Sequence, residues 1–146
     1  MNDQAFDKVS VITALNRILE LELAGVVRYT HYSFMVFGYS RIPIASWLRS
    51  QADESLLHAR EAGEMITHLG EHPSLAIGPL LETHRHDVGD ILRESLEHES
   101  TALAAYWTLL ESVQGKSVLL EEYARRQIAE EEMHRGQISK MLRPPG

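Results

Sequence analysis

The chain has 146 residues, 44% of them hydrophobic and 24% charged, which is enough for one core and too evenly mixed for a disordered segment. A formal net charge of −7 excludes a basic, phosphate-neutralising surface, so the expected partners are cations rather than nucleic acid or an anionic membrane. Cysteine is absent, which excludes disulfides, thiolate metal sites and iron–sulfur clusters.

No basic leader followed by an apolar run opens the sequence, and no stretch reaches the roughly 18 apolar residues of a membrane span. A cytoplasmic protein is therefore expected, forming one domain over residues 1–146. From Phe6 to about Phe37, apolar residues recur at steps of three and four (Val9, Ile12, Leu15, Ile18, Leu19, Leu23, Val26, Val27), which predicts a first long amphipathic helix. It should stop near Gly38, Ser40 and Pro43, with a second helix running to about Leu69. The following segment, with Gly70, Pro73, Gly78 and Pro79, is too rich in helix breakers for a long regular element.

A third helix is predicted from about Asp87, through Leu92, Leu96, Leu103 and Leu110, to Gly115. A fourth follows Ser117, a suitable N-cap, and ends before Pro144. No segment has a strand pattern, so the fold class is all-α. The first and second helices, and the third and fourth, are joined by short links and should be antiparallel neighbours. The long link between the second and third could stretch about 50 Å at roughly 3.3 Å per residue, enough to travel the bundle and set those helices parallel. The expected architecture is a four-helix bundle with one long crossover.

Bundles of that topology can hold a metal pair through one Glu from each of two helices and a Glu-x-x-His pair from each of the others. Residues three apart share a helix face, so a carboxylate and an imidazole can reach the same ion pair. The fourth helix carries Glu131-x-x-His134, the first carries Glu22 in LELELAG, and the third carries Glu99 in LEHES. The second offers His58, but Ser55 stands three residues before it.

The segments LNRILELELAGVVRY (15–29), HLGEHPSLAIGPL (68–80), DVGDILRESL (87–96) and AEEEMH (129–134) together resemble the bacterioferritin pattern over residues 14 to 142. The resemblance implies a ferritin-like bundle whose Glu22, His58, Glu99, Glu131 and His134 bind one or two iron ions at a ferroxidase centre, with Tyr29 beside it. It further implies Fe(II) and O₂ or peroxide as reactants, iron storage or detoxification as the role, and a homo-oligomer. The alternatives are a non-storing oxidoreductase of the peroxide-reducing kind and a structural bundle whose site has degenerated.

Three departures bear on this. Ser55 occupies the family's bridging-Glu position, and the three carboxylates left would leave two ferrous ions with about +1 of buried charge. Glu54 lies on the other flank of His58 and is expected at the bundle edge or on a cage interior, as an accessory iron ligand. Leu56 stands where haem-binding members place Met, so haem is not expected, and the fifth helix that supports the family's cage does not follow Arg143. Glu20 is read as solvated surface, His68, His72, His84 and His86 as solvated loop residues rather than a surface metal site, and Trp47, Trp107, Met35, Met65 and Met141 as core or interface.

Overall fold

A computed structural model describes residues 6–145 and contains four long helices. The expected span of 1–146 includes residues 1–5 and 146, which lie outside the described residues. The helices are α1 (Lys8–Phe34), α2 (Arg41–His68), α3 (Val88–Val113) and α4 (Val118–Leu142). Among the described residues there is no strand.

Each boundary has a local cause. Asp7 caps α1 by accepting from the Val9 amide, and Ser117 caps α4 by accepting from the Leu120 amide. α1 ends at Phe34, earlier than the apolar pattern predicts, and Arg41 Nη1 donates to the carbonyls of Ser33 and Val36 just where the helix releases them. Pro43 falls in the first turn of α2, where its missing N–H leaves no hydrogen bond unmade.

α1 packs on α2 and on α3, and α3 packs on α4. Residues 69–87 form the crossover. It runs along α1: the Ser74 amide donates to Asn16 Oδ1 at 2.8 Å, the Gly78 amide to the Glu20 carbonyl at 2.9 Å, and Glu82 meets His31 at 2.9 Å. α3 thus starts beside the C-terminal half of α1, where Tyr32 donates to Glu94, and returns until Tyr106 meets Glu22. α2 and α3 are therefore parallel, as the long link predicts. Gly78 is required in this path, because a Cβ there would come within 2.8 Å of the Glu20 carbonyl oxygen.

Two apolar clusters fill the bundle. One gathers Leu15, Ile18, Leu21, Ala59, Ile66, Leu103, Tyr106, Leu109, Leu120 and Ile128; the other gathers Tyr29, Tyr32, Val36, Leu48, Ala52 and Ile91. Between them lies a polar layer. On α1 it falls at Glu22 and Gly25, between Leu21 and Tyr29; on α2 at Ser55 and His58, between Ala52 and Ala59; on α3 at Glu99, between Ile91 and Leu103. Truncating the large apolar residues on either side to Ala typically costs about 2–5 kcal/mol, and it is this packing that pays for ionisable groups at the centre.

Candidate metal centre

Every helix contributes to the polar layer. Glu22, His58, Glu99 and Glu131 are each 1–4% exposed, and His134 is half-buried one turn beyond Glu131. Glu131 is the hub. Its donor atoms and those of Glu22 and His58 lie within 4.8 Å of one another, and so do those of Glu131, Glu99 and His134. The α4 pair at spacing three thus places one carboxylate between two sets of donors.

The surroundings orient these groups. Tyr106 Oη donates to Glu22 Oε2 at 2.6 Å, and Tyr29 Oη donates to Glu99 Oε1. His58 Nδ1 lies 3.1 Å from Glu22 Oε2 and 3.7 Å from Glu131 Oε1, while its Nε2 lies 2.9 Å from Glu130 Oε2. The His58 and His134 rings stack with centroids 6.3 Å apart.

The layer is rich in negative charge and balances it with protons. Burial, reinforced by the neighbouring Glu99, Glu22 and Glu54, pushes the Glu131 carboxyl up to about 12. Burial also raises Glu22, whereas Glu99, which burial would raise, is held below its ordinary value by hydrogen bonds from Glu131 and Tyr29. Burial works against a charged His58, yet carboxylates on both ring nitrogens lift it to about 9. Glu131 Oε2 is buried and accepts no hydrogen bond. An oxygen with no donor, among crowded acids that keep their protons, suits a multivalent cation that would replace those protons.

Two acids revise the expectation from sequence. Glu54 stands at the partly exposed edge of the bundle and still reaches the centre: its Oε1 lies 3.0 Å from His134 Nε2. A long side chain leaning across the α2–α4 seam reaches further than its Cβ direction suggests. Glu130, absent from the ligand set that the sequence suggests, precedes His134 by four residues and so shares its face; it groups with Glu54 and His58. The seam admits both because polar side chains span it throughout, as in Arg126 to Glu61 at 2.6 Å and Gln127 to Glu61 at 3.2 Å. Five carboxylates, not three, therefore surround the two imidazoles.

Ser55 is buried against α1, where a Cβ on Gly25 would come within 2.8 Å of Ser55 Oγ and 3.2 Å of His98 Nε2. His98 adjoins Glu99 in sequence and is buried as well. Burial and the adjacent Arg28, whose Nη1 donates to Nδ1 at 3.2 Å, lower His98 to about 4 and keep it neutral. Glu97 is exposed and takes no part.

Residues 12–144 match the family model for the ferritin-like domain. Among solved structures, a ferritin-like diiron-carboxylate protein from Bacillus anthracis str. Ames superposes with a TM-score of 0.86 at 22% identity, covering 91% of this chain and 95% of that one. The bacterioferritin-related protein of Bacteroides fragilis, described as a dodecameric thioferritin, gives 0.86 at 22% identity over 95% of this chain and 88% of that one. Rhodobacter capsulatus bacterioferritin gives 0.85 at 21% identity over 94% and 86%. No curated protein matches by sequence. With the family model spanning nearly the whole bundle and the four-helix topology shared by all three structures, the chain belongs to the ferritin-like domain family.

Proposed function

We propose that this protein binds iron at the centre of its bundle, oxidises Fe(II) there with O₂ or peroxide, and stores or detoxifies the product. The observation that carries this reading is Glu131, buried between the Glu22–His58 donors and the Glu99–His134 donors. Carboxylate and imidazole donors suit iron in both oxidation states, and five acids offset the charge of two ferrous ions. Two Fe(II) would give up one electron each, and with two protons these would reduce O₂ to hydrogen peroxide or hydrogen peroxide to two waters.

The chain's own work is positional. Glu54 and Glu130, at the open seam, offer Fe(II) its first carboxylates, and the stacked imidazoles of His58 and His134 lie just inside. Entry of the cation displaces the protons held on Glu131 and His58. Tyr29 and Tyr106 fix the carboxylates of Glu99 and Glu22 so that they need not reorganise.

Copies of the chain are proposed to assemble, consistent with the dodecamer named for the Bacteroides fragilis protein and with exposed Leu75, Ile77, Leu80 and Leu81 along the crossover. A non-storing, peroxide-reducing oxidoreductase is the alternative. Aerobic Fe(II) oxidation, followed optically at two irons per chain and at large excess, separates the two. Rapid oxidation with the excess iron kept soluble is expected, with Glu131→Ala at the protein-free rate. Rapid oxidation with precipitation of the excess would select the oxidoreductase, and wild-type oxidation no faster than buffer would reject both.

A further inference from the structure

A second group of donors lies outside the bundle centre, where the end of the crossover meets α1. His31 Nε2 is 2.9 Å from Glu82 Oε2, and His86 Nε2 is 3.4 Å from Glu82 Oε1. One donor atom from each of the three residues falls within 4.8 Å of the others, and the two imidazole rings meet edge to face with centroids 5.8 Å apart. The cluster shares no residue with the centre.

Local structure holds the three in place. The His84 amide donates to Glu82 Oε1 at 2.5 Å, and His84 has a φ of 56°, so the chain folds back and delivers His86 to α1. Thr83 Oγ1 donates to Glu94 Oε2 at 2.8 Å, tying the same turn to α3. His86 Nε2 is buried without a hydrogen-bond partner, an unmet group facing Glu82. His84 Nδ1, at 3.8 Å from Glu82 Oε1, is a further nitrogen within reach.

We propose that His31, Glu82 and His86 form a second metal site, which takes a divalent transition-metal ion of the zinc or ferrous class. Two imidazoles and one carboxylate are a donor set for such ions, with open positions left for water, whereas calcium and magnesium require mostly oxygen. His31 and Glu82 are about two-fifths exposed, so an ion reaches them from solvent without passing through the bundle. Binding clips the crossover to α1 beyond its hydrogen bonds at residues 74 and 78.

The test is a Zn(II) titration of the full chain near neutral pH, comparing wild type with His31→Gln/His86→Gln. Ions bound are counted by native mass spectrometry, and the histidine rings are followed by NMR. The double variant is expected to bind one Zn(II) fewer per chain, or to bind that ion at least tenfold more weakly, while the wild-type rings of His31 and His86 shift on titration. Amide exchange of residues 80–86 should slow with Zn(II) in wild type only. An unchanged ion count, or ring shifts confined to His58 and His134, would overturn the proposal. Because the residues are on the surface and apart from the centre, this result is independent of the outcome of the Fe(II) oxidation assay.

Discussion

At the scale of single residues, the charge deficit implied by Ser55 has a structural answer. Glu54 and Glu130 lean across the α2–α4 seam to His134 and His58, and supply the carboxylates that Ser55 does not. Ser55 itself packs against Gly25 and serves close helix approach. Ser55→Ala is therefore expected to leave iron binding and oxidation within about twofold of wild type and to cost less than about 1 kcal/mol in stability. Glu54→Gln/Glu130→Gln should instead weaken the second ion about 10–100-fold, as does loss of groups that support a metal site. Competition with a chromogenic chelator measures both, and equal behaviour of the two variants would contradict this division of roles.

At the scale of the element, the crossover depends on a backbone approach. The Gly78 amide donates to the carbonyl of Glu20 in α1, and a methyl group at residue 78 would meet that carbonyl at 2.8 Å. Backbone cannot rotate aside as a side chain can. Gly78→Ala is expected to cost about 1–3 kcal/mol in urea unfolding, a strain of the size that overpacking produces. Ala76→Gly, two residues away on the exposed side, serves as the control and should cost under about 1 kcal/mol. Because residues 82–86 lie downstream on the same crossover, Gly78→Ala should also weaken Zn(II) binding at His31, Glu82 and His86.

At the scale of the whole molecule, the central layer makes stability depend on pH. Burial and the neighbouring acids hold a proton on Glu131 far above the ordinary value of 4.5, and the flanking carboxylates lift His58 from 6.5 to about 9. Between pH 6.5 and 9 the folded state thus binds more protons than the unfolded one at both groups, so stability falls as pH rises. His98 acts oppositely: burial and Arg28 lower it to about 4, so its contribution is lost as pH falls below 6.5. Chelator-treated protein should therefore melt progressively lower from pH 6.5 towards pH 9. Glu131→Gln should melt higher than wild type above pH 6.5 and show a shallower decline, which scanning calorimetry reads directly. A metal ion in the centre displaces these protons, so the decline should shrink or reverse when metal is added.

The sequence by itself determined the four helices, their antiparallel pairing and the parallel setting of α2 and α3, because apolar periodicity, glycine and proline stops and link lengths are local properties. Its resemblance to bacterioferritin also pointed to Glu22, His58, Glu99, Glu131 and His134, and the structure buries the first four and half-buries His134. Three things were decided only by tertiary structure. Glu54 and Glu130 reach the centre because α2 and α4 are spanned by long side chains, a feature of helix spacing that no single helix encodes. Ser55 meets Gly25 because the glycine has no side chain to hold α2 away from α1 there. His31 meets Glu82 and His86 across more than fifty residues of chain, and only the return path of the crossover along α1 brings them together.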